Sequence, residues 1–388
     1  MPPAQPGGSV WENELRSSLA NYVNVTDGVS RTLVRLVDYL YETGNSVLVI
    51  GPSSSGKSPP RSARRGQEYV SVASLPMPGR PEYRFALGLP GSVSKRLEAF
   101  SPDVVHIATP DLLGLAALKW GRSRRVPVVS TYHTHFPAYL KYYGLEGMRT
   151  PVEHYLRWFY GQCRHVYVPT PPLVEYFSGL GITDPVRLWG RGVDCDAFRP
   201  DLRSEAWRLD YGIQPEEVLV TFVGRLVKEK GLEVFADVVA ELHAEGVRSM
   251  IVGDGPLRDD LRRRLSTCTF TGHLGGADLA RAYASSDVFL FPSDSEAFGN
   301  VIVEAMASGL PVVCAAFACS STHVVPGTTG LVATSGDVHA FLEQTRHLVR
   351  CPSDRRRMAR HARLYALHYD WEQILHRMVE YYEEACSA

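Results

Sequence analysis

The sequence predicts an α/β protein made of two doubly wound, largely parallel sheets that face each other across a deep cleft. Three observations carry this. Short apolar runs alternate with helix-length amphipathic segments along nearly the whole chain. The runs are apolar on both faces, as strands are when helices cover a parallel sheet on each side. One long polar break rich in Gly, Pro and Asp, residues 190–217, interrupts the alternation, which then resumes. A length of 388 residues gives each half enough chain for its own core.

Taken in order, the first half contributes the strand-like runs "SVLVI", "DVVHIA", "VPVVST" and "HVYVPT", and the second "EVLVTFVG", "SMIVGDG", "TFTG", "DVFLFPS" and "LPVVCA". Between them lie amphipathic segments such as "GVSRTLVRLVDYLYETG", "DLLGLAALKWGR" and "GADLARAYASSD". We place a first domain at 1–198 and a second at 199–369. A last helix over 370–388, "HYDWEQILHRMVEYYEEA" at its heart, carries an apolar and aromatic stripe. The segment "WENELRSSLANYVN" stands where such a domain opens with a strand. Its charges and lack of an apolar run predict a first strand that is degenerate or missing.

Residues 51–58, "GPSSSGKS", match the phosphate-loop pattern G-x-x-x-x-G-K-[ST]. The pattern works only when a helix follows, so that its amide groups surround the phosphates. Pro59 and Pro60 come next, then "RSARRGQ", which has no apolar period. The match is read as accidental, with Lys57 on a variable surface loop.

Composition excludes several classes. A formal net charge of −1 argues against a nucleic-acid binder, and the basic runs "RSARR", "DDLRRRL" and "SDRRRMARHAR" read as solvated faces. Seven cysteines without a C-x-x-C pair suit reduced thiols in the cytoplasm. No apolar run reaches membrane-spanning length, and the start lacks a signal-peptide pattern. Without such a signal, the sequon at Asn24 is set aside.

Two stretches carry chemistry. In "SDSEAFGNVIVEAMASGLPVV", residues 293–313, a strand runs into a helix that begins near Asn300. The amides of Phe298, Gly299 and Asn300 can converge there on an anion at the positive end of the helix dipole. Glu296 and Glu304 flank that point, and two carboxylates beside an anion site suit hydroxyl groups, which sugars supply. In "VGRLVKEKG", residues 223–231, a strand ends at Gly224 and presents Arg225, Lys228 and Lys230, a set of cations suited to a diphosphate. His133 and His135, in "HTH", make at most half of a metal site, and no metal is expected.

Together, "EAFGNVIVE", "AMASGLPVV", "GRLVKEKG", "IVGDGP" and "GRGVD", with "DGVSRTL" and "STYHTHFPAYLKYYGL" upstream, resemble the family 4 retaining glycosyltransferases. The resemblance runs from about Asn24 to near the end. It implies the GT-B fold: two Rossmann-like domains, the second holding a nucleotide-sugar donor and the first an acceptor, with the last helix crossing back onto the first domain. By position, it implies that Arg225 and Lys230 hold the donor diphosphate and stabilise its departing charge. Glu304 would bind the ribose, and Glu296 with Phe298 and Gly299 the transferred sugar. Gly28, Gly224, Gly253, Asn300 and Val301 would complete the donor site, and His133 would reach the sugar near the reacting carbon.

The resemblance implies no metal or other cofactor and no enzymic nucleophile. It is greatest to GDP-mannose-dependent α-mannosyltransferases acting on lipid-linked or glycan acceptors. UDP-sulfoquinovose:diacylglycerol-type synthases, and a catalytically inert GT-B binding protein, are the alternatives. The expected location is cytoplasmic, peripheral at a membrane. One further departure stands out: "CAAFACSSTHVVPGTTG" lacks the Gly-Gly turn that relatives carry after the alanines, and Phe317, Cys319 and His323 are unusual there. Its loop is therefore expected to be altered.

Overall fold

The protein is described here by a computed structural model covering residues 15–20, 28–53, 68–77, 80–317 and 321–387. Lys57 and its neighbours, Asn24 and Cys319 lie outside the described residues.

The first domain is built on β1 (Arg16–Ala20), β2 (Ser46–Pro52), β3 (Glu68–Val72), β6 (Val104–Ile107), β7 (Val128–Thr131), β8 (His165–Val168) and β9 (Val186–Leu188). They form a parallel sheet of order β3-β2-β1-β6-β7-β8-β9. A hairpin of β4 (Ser74–Met77) and β5 (Arg80–Ala86) stands beside it. The second domain comprises β10 (Leu219–Val223), β11 (Arg248–Val252), β12 (Thr269–Gly272), β13 (Val288–Phe291), β14 (Val312–Ala315) and β15 (Gly330–Ala333). Its sheet is also parallel, in the order β12-β11-β10-β13-β14-β15. β2, β6, β7 and β8, and β10–β14, lie on the runs read from the sequence. β3, β9 and the hairpin are shorter or more polar, and neither they nor β15, the four-residue run GLVA, were marked by periodicity.

The expected loss of the first strand is corrected. Residues 16–20 pair with Ser46–Ile50 on one side, and residues 17–20 pair with Val104–Ile107 on the other. The segment is a central strand although it is small and polar. Its backbone groups are satisfied from both sides, and Ser17 is buried without needing bulk. The charge stays at the rim: Arg16 is exposed, and its amide donates to the Asp103 carboxylate at 2.8 Å.

The polar break also has structure. Helix Glu205–Asp210 is capped by the Ser204 side chain, and its Trp207 is buried in the second core with Val193 and Ile213. Fully buried Arg208 donates to the carbonyls of Ser285, Gln214 and Glu217 and pairs with Asp287 at 3.1 Å. That network fixes where the second domain begins.

Helix Trp371–Ser387 returns to the first domain. Leu375, Met378, Tyr382 and Ala385 are buried against Leu33, Leu36, Val37 and Leu40 of the first helix, Gly28–Glu42. The stripe is what positions the helix, and polar bonds fix its register: Trp189 Nε1 donates to the Ile374 carbonyl at 2.9 Å, and Tyr381 to the Leu188 carbonyl at 3.1 Å. Tyr382 shares a hydrogen bond of 2.6 Å with Nδ1 of His106, whose other nitrogen meets the Thr131 hydroxyl. Burial pushes the His106 pKa down to about 3, so the ring is neutral. Tyr382→Phe leaves a buried nitrogen without that partner and is expected to cost about 1–3 kcal/mol. A thermal midpoint equal to that of the wild type would refute this.

Candidate donor site at the cleft

Parallel sheets place ligand-binding loops beyond the carboxyl ends of their strands, where the strand order reverses. In the second domain that point lies between β10 and β13, and both site stretches are the loops leaving those strands.

After β10 the chain bends at Gly224 into Arg225, which is half-buried, and then into a single turn, Lys228–Lys230. Lys228 is exposed, whereas Lys230 turns inward. Gly224 lies against Gly253 of the loop after β11: the Gly224 amide donates to the Val252 carbonyl at 3.0 Å. Gly253 has φ +142°, and a Cβ there would strike the Gly224 carbonyl, so only glycine permits this approach.

After β13, Ser293 and Ser295 both donate to the Glu229 carbonyl, at 3.0 and 2.9 Å. These bonds tie the two loops together. Glu296 forms an ion pair with Lys230 and lies 2.9 Å from Ser293 Oγ, sharing that hydroxyl's single proton with the Glu229 carbonyl. Phe298 is buried, and Gly299, at φ +92°, turns the chain into helix Asn300–Ala307. Val301 packs half-buried against the second core.

Glu304 sits one turn further along, nearly buried. Its carboxylate accepts from Tyr283 OH at 3.1 Å and lies 3.5 Å from Arg31 of the first domain. Burial pushes its pKa up to about 7, opposed by the Arg31 charge and the Tyr283 hydrogen bond.

The first domain meets these loops closely. Gly28 begins the first helix, and a Cβ there would strike the Asn300 side-chain amide and come within 3.4 Å of Arg191 Nη1. Two helix N-termini, one from each domain, therefore face each other, and both favour negative charge. Arg191 Nη2 lies 3.2 Å from Nδ1 of buried His133. A guanidinium can only donate, so Nδ1 accepts and the ring proton sits on Nε2. That Nε2 is buried and, among the described residues, meets no hydrogen-bond partner; the same holds for Asn300 Oδ1. Burial, Arg191 and His106 hold the His133 pKa well below its ordinary value, so a neutral ring presents one N–H.

His135 goes elsewhere. Its Nδ1 meets Tyr132 OH at 2.8 Å and its ring packs on Tyr176 at 4.7 Å. Among the described residues no group of three or more His, Cys, Asp and Glu side chains gathers as metal ligands.

The segment after the histidines closes over the second domain's loops. Lys141 Nζ reaches Asp294 at 2.8 Å, Tyr142 OH donates to the same carboxylate, and Tyr143 OH donates to Glu229 at 3.1 Å. Ala297 packs into the first core, and its carbonyl accepts from Thr170 at 3.3 Å.

Arg31, Arg191, Asp294, Tyr283 and the 141–143 segment were missed in the sequence. Arg31, Arg191, Asp294 and residues 141–143 lie inside stretches quoted for other residues, and Tyr283 lies in a quoted helical segment; their pairing was not legible, because their partners are distant in the chain.

Comparisons with known proteins identify the family and the fold. A family model described as Glycosyltransferase Family 4 matches residues 26–197, and one described as Glycosyl transferases group 1 matches residues 217–351. A GDP-mannose-dependent alpha-mannosyltransferase of Mycobacterium tuberculosis is 33% identical over 368 residues, covering 94% of each chain. This chain belongs to the family 4 glycosyltransferases. The sulfoquinovosyl transferase SQD2 of Arabidopsis thaliana is 32% identical over 353 residues, 89% of this chain and 68% of that protein. In three dimensions, Anabaena HepE in complex with UDP superposes with a TM-score of 0.77 at 18% identity, over 95% of this chain and 100% of that one. The glycosyltransferase from Rickettsia africae gives 0.75 at 15%, over 97% and 99%. The fold of this family 4 enzyme is GT-B.

The raised pKa of Glu304 has a measurable sign. An unfolded carboxyl ionises near 4.5 and the native one at about 7, so between those values the native state holds the extra proton. The stability from this group is fully present below 4.5 and is lost as pH rises to about 7. For the nucleotide-free protein, the thermal midpoint of Glu304→Gln relative to wild type is expected to rise across that window and level off above it. A pH-independent difference would contradict the assignment.

Proposed function

We propose that this glycosyltransferase moves a hexose from a nucleoside-diphosphate sugar, GDP-mannose first among candidates, to a hydroxyl of a lipid-linked or glycan acceptor, with retention and without a metal. The observation that carries the reading is the pair of opposed helix N-termini at Gly28 and Asn300. Arg225, Lys230 and Arg191 belong to the segments around them, and carboxylates at Glu296 and Glu304 flank the second.

A diphosphate fits the cations and amide dipoles; the two carboxylates suit hydroxyls on the sugar and ribose. The Lys230–Glu296 pair keeps both charges partnered until a donor arrives, when Lys230 turns to phosphate and Glu296 to sugar hydroxyls. As the glycosidic C–O bond breaks, Arg225 and Lys230 stabilise the diphosphate. The acceptor hydroxyl attacks from the face the phosphate leaves, and the leaving phosphate oxygen takes its proton. The His133 Nε2–H, buried on a neutral ring, would donate to a sugar oxygen. An inert protein is disfavoured because β1 is in place and the charged residues are gathered.

Arg225→Ala and Glu296→Ala are each expected to lower kcat by about two to three orders of magnitude, while Lys57→Ala leaves it unchanged. A donor at 100 times its Kd adds about 2.7 kcal/mol to the native state, a visible thermal shift. A shift with GDP and GDP-mannose supports mannosyl transfer, and a shift with UDP alone moves the assignment toward a sulfoquinovosyl donor. No shift with either overturns the proposal.

The lipid acceptor is supported by the surface. Residues 143–151 are exposed without a break, and Leu145, Met148 and nearby Trp158 each keep about half their area in solvent. No helix among the described residues is long and apolar enough to cross a membrane, so such a surface would meet lipid peripherally. The protein is expected to pellet with anionic vesicles at low salt, and Leu145→Ser with Trp158→Ser to pellet several-fold less. Equal pelleting of the two would remove this support.

A further inference from the structure

His323 lies in the stretch "CAAFACSSTHVVPGTTG", and both of its ring nitrogens are engaged. It is 1% exposed. Nε2 lies 2.7 Å from the Phe298 carbonyl, and Nδ1 lies 2.6 Å from Tyr369 OH. A carbonyl can only accept, so Nε2 carries the proton and Nδ1 accepts from the tyrosine. The ring also packs on Phe298, with centroids 4.3 Å apart. Burial pushes its pKa down to about 4, which keeps this single-proton form in place.

The two partners belong to different working parts. Phe298 immediately precedes the Gly299 turn into helix Asn300–Ala307. Tyr369 lies in the chain that crosses back to the first domain, and its carbonyl accepts from the Val193 amide at 2.9 Å, in the other crossing segment. Arg191, two residues before Val193, lies over the other ring partner, its guanidinium carbon 5.9 Å from the Phe298 centroid.

We propose that His323 is a positioning residue for donor binding: it fixes the Phe298 carbonyl, and so the direction of the amides at 298–300, to the place where the chain crosses between domains. This rests on reading residues 296–304 as the donor segment. A peptide unit is planar, so holding the Phe298 carbonyl also holds the Gly299 N–H that shares its plane. Without the ring, that carbonyl is buried with one partner fewer and the unit is free to rotate. Neither partner nitrogen is shared with substrate, so the residue acts through the loop and not by contact.

Two measurements test this. The first needs no donor: hydrogen exchange of the 298–302 amides in the free protein, in His323→Ala, His323→Gln and Tyr369→Phe. Exchange is expected to quicken in His323→Ala, to quicken less in Tyr369→Phe, which loses the bond that sets the ring proton but keeps the ring on the Phe298 carbonyl, and to stay near wild type in His323→Gln, which keeps an N–H donor. Unchanged exchange in His323→Ala overturns the proposal.

The second is calorimetric binding of GDP and UDP, with kcat and acceptor KM. His323→Ala is expected to bind the nucleotide roughly tenfold more weakly, the effect of one lost hydrogen bond on a buried carbonyl, with acceptor KM unmoved. His323→Gln should recover most of that affinity. Should His323→Ala not fold, Tyr369→Phe and His323→Gln carry both comparisons. A lowered thermal midpoint with wild-type nucleotide affinity marks a merely structural residue and overturns the proposal. Absence of nucleotide binding by the wild-type protein instead overturns the donor-site reading, while the exchange data still decide whether His323 positions the loop.

Discussion

The cleft depends on two segments of chain that lie side by side where the domains join. The Val193 amide bonded to the Tyr369 carbonyl is the seam. On one side of it, Trp189 and Arg191 lead out of the first domain; on the other, Trp371 begins the helix that returns to it. Because the chain crosses twice, the relative placement of the domains does not rest on surface contacts alone. Burial of Leu375, Met378 and Tyr382 holds the return helix down, and the His106–Tyr382 bond prevents it from sliding by a turn. If the seam shifted, the helix beginning at Gly28 would no longer face the one beginning at Asn300.

Given that placement, electrostatics decides the character of the site. Charges taken out of water need partners, and here several partners come from the opposite domain or the neighbouring loop. Arg31 reaches across to Glu304, Lys141 and Tyr142 share Asp294, and Lys230 answers Glu296. Each pair partners a charge across a loop or the cleft. Burial raises the Glu304 pKa against the nearby Arg31 charge.

Much of this was legible in the chain. The loops after β10 and β13 could be located because parallel strands announce themselves as two-sided apolar runs, and the cations and glycines that follow them are local. Helix Trp371–Ser387 was legible from its stripe. β1 was misjudged because a central strand needs only backbone partners on both sides, which residues 16–20 have without an apolar run, and Ser17 is buried there without needing bulk. Around His323 only an altered loop was expected, part of which lies outside the described residues. The ring takes up a carbonyl and a hydroxyl, a role invisible until Phe298 and Tyr369 are brought to it.

The sequence by itself determined the layering and the strand-to-loop junctions on which Arg225, Lys230, Glu296 and Glu304 lie, since these depend on residues close together in the chain. Tertiary structure alone decided which charges pair across the cleft, which His133 nitrogen carries the proton, and that Arg31, Arg191, Asp294 and His323 lie beside these loops. Those are properties of groups separated by many residues, and a hydrogen bond or an ion pair depends on distance in space and not along the chain.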